Sequence, residues 1–318
     1  MFPNAPLFPE RASAMAAEID HLFFASLGIA AFFSLLIASL IFYLGIRYRR
    51  RSPDEVGRPP RPESRATTVL EVTWSVVPLG IMIGLFVWGA RVYFAIARPP
   101  ADATEFFVVG KQWMWKVQHP EGNREINELH VPIGRPFKLT MTSEDVIHSF
   151  FIPAFRIKQD VLPGRYTTLW FQADRPGTYH LFCAQYCGAE HSKMAGWVIV
   201  MDPVEYQRWL SGSIRGESMA AAGAQLYQQF GCVTCHGTGK GPPFAGLYGQ
   251  PVLLTTGQTV TADNDYLRES ILDPSAKIVN GYPAIMPTFR GQISEEQLLE
   301  LIAYIKSLGS AEGSLGKP

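Results

Sequence analysis

The stretch Gly177-Thr-Tyr-His-Leu-Phe-Cys183-Ala-Gln-Tyr-Cys187-Gly-Ala-Glu-His191-Ser-Lys-Met194-Ala-Gly-Trp-Val-Ile-Val-Met201 decides the fold. Its two ends are short, aromatic and β-branched, which predicts two strands flanking a loop. Within the loop, Cys183 to Met194 gathers two thiols, an imidazole and a thioether. Such soft or borderline donors suit copper better than magnesium or calcium. His148 lies upstream, in Asp145-Val-Ile-His148-Ser-Phe. One distant His with a Cys-His-Met loop is a ligand pattern for a copper-bearing β-sandwich. The second Cys points to two ions bridged by two thiolates, an electron-transfer centre.

Outward from that loop, the period stays near two from Glu105 to about Met201. Gln112-Trp-Met-Trp-Lys-Val-Gln118, Pro136-Phe-Lys-Leu-Thr-Met-Thr142 and Thr167-Thr-Leu-Trp-Phe-Gln-Ala173 are further aromatic and β-branched runs separated by Pro and Gly turns. Strands so spaced predict a sandwich of about 100 residues. Trp113 and Trp115 are expected on one strand with their side chains on one face. Both fit a core; Trp113 is also a candidate for electron entry next to a copper site.

Nearer the N-terminus, Leu22 to Ile46 is 25 residues without a charged side chain and Val72 to Ala90 is 19. A bilayer core needs about 20 apolar residues in a helix. These runs predict a transmembrane hairpin with spans at about 22–46 and 72–97, the first an uncleaved anchor. The intervening loop holds Arg47, Arg49, Arg50, Arg51, Arg58, Arg61 and Arg65, against one Arg before the first span. Basic residues stay cytoplasmic, so both ends of the hairpin, and everything after about Pro99, face the periplasm or exterior. Residues 1–21 suggest no function, and 52–64 reads as a proline-rich cytoplasmic connector. Glu71 opens Glu71-Val-Thr-Trp-Ser-Val-Val-Pro78 at the cytoplasmic edge of the second span. It fits either a solvated helix start or a proton-uptake entrance.

The last third returns to helical patterning. Cys232-Val-Thr-Cys235-His236 has the spacing for covalent attachment of a c-type haem, with His236 as the proximal iron ligand. Met286, fifty residues on, is the candidate for the other axial position. Ser294 is expected to cap a closing helix that carries Leu298, Leu299, Leu301, Ile302, Ile305 and Leu308. An Ala/Gly/Ser-rich stretch around 210–224 is expected to join this domain to the sandwich.

Only four cysteines exist, and all fall in these two motifs. On the oxidising side of a membrane the competing reading is two disulfides, Cys183–Cys187 and Cys232–Cys235. The adjoining His236, and His148, His191 and Met194 around the first pair, favour haem and copper. Net charge is +0 with hydrophobic content of 47%, so no nucleic-acid partner is expected.

Together with Gly110-Lys-Gln-Trp113-Met-Trp115, Asp160-Val-Leu-Pro-Gly-Arg165 and Asp174-Arg-Pro-Gly-Thr-Tyr179, these motifs resemble subunit II of haem-copper cytochrome c oxidase. The haem motif makes the chain similar to the caa-type branch, in which a cytochrome c is fused to subunit II. The resemblance implies a two-helix hairpin at 22–97, a cupredoxin-like sandwich at 98–208 and, after a linker, an all-α class I cytochrome c domain within 209–318. It implies dinuclear CuA on His148, Cys183, Gln185 through its carbonyl, Cys187, His191 and Met194, with Trp113 as electron entry and Glu71 at the mouth of a proton channel. The family usually has Glu between the cysteines, its side chain helping to bind Mg²⁺ or Mn²⁺ at the subunit I interface. Gln185 is a neutral amide and a poorer ligand for a hard cation, so the interface magnesium is the doubtful part.

The implied function is electron input to a proton-pumping terminal oxidase in a bacterial plasma membrane. Subunits I and III, membrane lipid and an external donor (a cytochrome, a cupredoxin or an upstream respiratory complex) are the expected partners. The chain lacks a set of intramembrane His ligands, so the oxygen-reducing site is expected in another subunit. A CuA subunit of a nitric-oxide reductase is the alternative, and a stand-alone electron carrier or metal-delivery protein a more distant one. A quinol oxidase subunit is disfavoured, because those homologues lack the copper ligands.

Overall fold

The computed structural model describes residues 9–52, 64–212 and 218–310. They form two compact units: Ala14–Arg98, and Pro99 onward together with the segment ending at Ser13. The expected prolyl connector lies almost wholly outside the described residues, as do 213–217.

The first unit is a pair of helices, α1 (Ala14–Arg47) and α2 (Arg65–Ala97). Both extend beyond the apolar runs. Good helix formers such as Ala14-Met-Ala-Ala-Glu lengthen the first. The second begins at a capping box in which the Ser64 and Thr67 side chains satisfy each other's backbone N–H. In neither apolar window is any residue buried, so these helices present apolar side chains all round, unlike a soluble core helix. Glu71 is two turns inside α2 and exposed. Of its two readings, the helix-start one weakens at that depth, because dipole stabilisation fades beyond the first turn.

The second unit begins with a two-sheet sandwich. Its strands are β1 (Thr104–Lys111), β2 (Met114–Gln118), β3 (Arg124–Ile126), β4 (Glu128–Pro132), β5 (Pro136–Ser143), β6 (His148–Ile152), β7 (Ile157–Val161), β8 (Thr167–Gln172), β9 (Gly177–Cys183) and β10 (Ala195–Met201). One sheet runs β3-β2-β1-β5-β8 and the other β4-β10-β9-β6-β7. Alternate residues point inward: Phe106 and Val108 from β1, Trp115 and Val117 from β2, and Leu181 and Cys183 from β9 all lie in one buried cluster.

Two expectations need correction here. Trp113 is not on a strand with Trp115. Lys111 pairs with Met114, so Gln112 and Trp113 form the hairpin turn, and only Trp115 is in the strand and fully buried. Nor is the N-terminal segment idle. Ala12 lies in the sandwich core; its N–H donates to Ala154 O at 2.9 Å and its carbonyl accepts from Asp174 N at 3.1 Å.

After the sandwich come α3 (Pro203–Gly212), α4 (Met219–Gln229), the single turn α5 (Val233–His236), a small ribbon of β11 (Pro251–Leu253) and β12 (Thr259–Thr261), α6 (Asn264–Leu272) and α7 (Glu295–Ser310). The expected linker is therefore helical on both sides of 213–217. Gly223 lets α4 cross α7 closely, since a Cβ there would lie 2.0 Å from Glu300 O. Ser294 caps α7 as the sequence predicts: its Oγ accepts from Gln297 N, and Gln297 Oε1 accepts from Ser294 N.

Candidate metal centre and haem cleft

Strand pairing builds the first site. Cys183 ends β9 opposite Phe150 of β6, so His148, at the start of β6, stands beside the loop that leaves β9. Cys183 N donates to Met194 O at 3.1 Å and Ala184 N to Ser149 O at 2.9 Å, which closes the base of the loop. Cys183, Cys187, Met194 and His148 are all buried.

The donor atoms converge. Cys183 Sγ and Cys187 Sγ are 3.8 Å apart. His148 Nδ1 lies 4.0 Å from Cys183 Sγ and His191 Nδ1 lies 3.4 Å from Cys187 Sγ. Met194 Sδ is 3.8 Å from Cys187 Sγ, and Gln185 O is 3.2 Å from Cys183 Sγ. All four cysteines are free. A separation of 3.8 Å is far beyond a disulfide bond of about 2.05 Å. It matches two thiolates sharing an ion through metal–sulfur bonds of about 2.3 Å. His148 faces one sulfur and His191 the other, so the set has two ends, as two bridged ions require.

Electrostatics fit the same occupant. Burial opposes ionisation of Cys183, but hydrogen bonds from His148 and Ser149 N–H outweigh it and lower the thiol to about 6. At Cys187, burial and then the charge of Cys183 push the thiol up. Without a cation between them the pair holds one negative charge readily and a second only with difficulty; bound metal would stabilise both thiolates.

A supporting shell, absent from the sequence reading, orients these ligands. His148 Nε2 bonds Asp145 Oδ1 at 2.9 Å, and Asp145 Oδ2 accepts Gln112 N at 2.7 Å. Gln112 Nε2 donates to Cys187 O at 2.8 Å and Trp113 Nε1 donates to the same carbonyl at 3.3 Å. Trp115 packs edge-on against His148, ring centroids 5.8 Å apart. Asp145 was visible three residues before His148; Gln112 had no local signal, because its partner is 75 residues away.

The second site lies in the helical domain. Cys235, His236 and Met286 line a largely apolar cleft, with Phe244, Leu247 and Ile305 among its walls. Cys232 lines an adjoining lobe that shares His236 and Met286. The His236 Nδ1–H donates to Pro242 O at 2.8 Å, which leaves Nε2 as the ligand nitrogen. Burial lowers the His236 pKa, favouring the neutral imidazole that binds iron. Both predicted axial residues thus border the apolar cleft and its adjoining lobe, with one thiol in each, and the set fits a covalently held haem.

A further cluster went unnoticed in the sequence. Glu125 receives hydrogen bonds from His119 Nε2, His130 Nδ1 and His130 N–H, while Trp209 of α3 stacks on His130 at 4.4 Å. Glu125, Glu128 and His130 could together ligate a cation. Hydrogen bonds already account for Glu125 and His130, however, and Glu128 is exposed. The cluster acts as a latch where the chain passes from one sheet to the other.

Residues 121–203 match the family model described as cytochrome C oxidase subunit II, periplasmic domain, and residues 218–305 match cytochrome C oxidase, cbb3-type, subunit III. The chain is 30% identical over 302 residues to cytochrome c oxidase subunit 2 of Alkalihalophilus pseudofirmus, covering 89% of this chain and 85% of that one. It is 33% identical over 266 residues to the subunit 2 of Synechocystis, covering 68% and 79%. A crystal structure of the periplasmic domain of subunit II of cytochrome oxidase from Bradyrhizobium japonicum superposes with a TM-score of 0.35 and 29% identity, covering 36% of this chain and 95% of that one. The chain belongs to the cytochrome c oxidase subunit II family.

Proposed function

We propose that this chain is the electron-input subunit of a terminal oxidase, with a dinuclear copper centre on the sandwich and haem c on the helical domain. As a family member it is part of an oxidoreductase complex whose oxygen-reducing site lies in another subunit, and it is a membrane protein with a periplasmic domain. Its two matched domains are those of a cytochrome c oxidase subunit II and a cbb3-type cytochrome c oxidase subunit III. Relatives named as cytochrome c oxidase subunit 2 favour this reading over a nitric-oxide reductase.

When bound, the two groups supply one-electron carriers between an external donor and the catalytic subunit that reduces O₂ to water. His148, Cys183, Cys187, His191 and Met194 would hold the copper, with the Gln185 carbonyl as a weak ligand. Cys232 and Cys235 would hold the haem covalently, and His236 and Met286 would bind its iron. The Gln185 side chain is exposed, and as an amide it is not proposed to hold magnesium. Trp113, donating to Cys187 O, is the proposed electron-entry residue, and Glu71 the proposed proton-channel entrance. The proposed partners are subunits I and III and an external electron donor.

Two spans in a plasma membrane, modules at 22–97, 98–208 and 209–318, and periplasmic placement of both redox domains complete the proposal. Covalent connection supports it, because α1 leaves from the segment paired with the sandwich and α2 runs back into that unit. An even number of crossings returns the chain to one side.

The observation that carries the proposal is the pair of free sulfurs 3.8 Å apart with an imidazole facing each. Purified oxidase should contain two coppers and one haem c per copy of this chain in these domains and consume oxygen from reduced cytochrome or an artificial donor. One copper would remove the dinuclear centre, and no oxygen uptake would remove the oxidase role. Glu71→Gln should slow turnover and proton uptake; unchanged values would remove the channel role.

A further inference from the structure

Covalently tethered domains move relative to one another unless their interface is large and apolar. The haem-bearing domain here shares a buried cluster with the sandwich: Phe107, Val109 and Tyr166 pack with Val252, Tyr266 and Ile302. Polar bonds ring that cluster. Lys306 of α7 pairs with Glu105 of β1, which also accepts from Lys138 at 2.9 Å and Thr140 at 2.6 Å. Arg268 pairs with Glu295 and lies 5.3 Å over the Tyr166 ring. Lys116 of β2 reaches Glu296 at 2.6 Å, and the Tyr166 N–H donates to Asp265 Oδ1 at 3.1 Å.

This seat leads directly to the copper ligands. On β1, Glu105 carries the ion pair, and Phe107 and Val109 lie beneath the helical domain. One residue on, Gly110 lies against His148: a Cβ at Gly110 would be 2.9 Å from His148 Cδ2. On the other side, Ile305 adjoins Lys306 and lines the haem cleft. One helix and one strand thus connect the wall of the cleft to an imidazole of the metal site.

We propose that the cytochrome domain is a permanently seated electron donor to the copper site, with Lys306 and Glu105 as the positioning pair that holds α7 on β1. The proposal rests on the relay reading above and adds that the domain does not swing between docking sites. Side-chain exposures of 20% at both Lys306 and Glu105 remove the pair from most solvent screening. Burial alone would raise the Glu105 carboxyl; Lys306 and Lys138 outweigh it and bring it to about 2. With Lys306 removed, Glu105 keeps Lys138 on its own sheet but loses the charge that ties it to α7. A domain that instead docked repeatedly through surface charges would respond to ionic strength, since screening sets in within about 8 Å at physiological salt.

The test uses the purified oxidase complex and two readouts. Hydrogen exchange at the Tyr166 amide reports the seat, because that N–H crosses the interface. Rapid reduction of the haem, followed by its equilibration with copper, reports electron transfer. In the unmodified complex the Tyr166 amide should be protected and equilibration indifferent to added salt and viscogen. Lys306→Gln should cut Tyr166 protection by about tenfold, as expected for loss of a charged hydrogen bond, and make equilibration slower and salt-dependent. Haem and copper absorption should stay unchanged in that variant, and Lys306→Arg should restore both readouts. An unprotected Tyr166 amide or salt-slowed equilibration in the unmodified complex would overturn the proposal, as would Lys306→Gln with both readouts intact. A protected Tyr166 with a haem that never equilibrates with copper would instead overturn the relay reading and with it the donor role.

Discussion

The Asp145 carboxylate grips the His148 imidazole by Nε2 at 2.9 Å, and His148 Nδ1 faces the Cys183 sulfur. Its other oxygen accepts the Gln112 N–H, tying the ligand to the turn that carries Trp113. Burial works against a charged His148, and its bonds to Cys183 and Asp145 outweigh burial and raise its pKa.

Asp145→Asn should therefore weaken copper binding. An amide can still contact Nε2 but does not enforce one ring orientation. Loss of such a supporting partner lowers metal affinity by about 10–100-fold. Copper titration followed by absorption would show it, and an unaltered binding curve would assign the orientation of His148 to Trp115 instead.

Replacing Met286 by Ala should leave haem attached, because Cys232 and Cys235 are the proposed covalent anchors, while the absorption of a Met-ligated low-spin iron disappears. Persistence of that absorption would point to another axial residue among those lining the cleft.

Glu125 makes stability depend on acid. Burial raises its carboxyl, but the hydrogen bonds from His119 and His130 outweigh burial and bring it from an ordinary 4.5 to about 2. A folded-state pKa below the unfolded one adds stability that is complete above about 4.5 and is lost as pH falls toward 2, in total about 3 kcal/mol. Glu125→Gln should lower stability at neutral pH and flatten that acid limb. Thermal unfolding of the purified chain between pH 2 and 7 provides the check, and a limb as steep as the parent's would remove Glu125 as its source.

Ala12 is fully buried in the sandwich core, so Ala12→Leu should destabilise the sandwich by about 1–3 kcal/mol through overpacking. Ala12→Gly, which adds no bulk, should cost less. Equal, negligible effects would show that the N-terminal segment leaves the sandwich in solution.

Much of the site was written in short-range spacing. The haem motif is five consecutive residues, and covalent attachment needs that local geometry whatever surrounds it. The loop from Cys183 to Met194 likewise carries most of its donors within one turn between strands. The misreadings arose where long-range pairing overrode local pattern. Trp113 continues the alternation of Trp115, yet pairing of Lys111 with Met114 places it in a turn. Ala12 has no apolar run around it, and only the gap beside Ala154 and Asp174 makes it core.

The amino-acid sequence by itself determined the two long apolar helices, the donor types and the cofactor classes, because hydrophobic length, ligand softness and the thiol–imidazole spacing are properties of neighbouring residues. Only the tertiary structure decided which donors face which sulfur, that Asp145 and Gln112 stand behind them, and that the helical domain rests on β1. Those facts depend on strand register and on side chains tens to hundreds of residues apart meeting at one place, as Glu105 and Lys306 do across 201 positions.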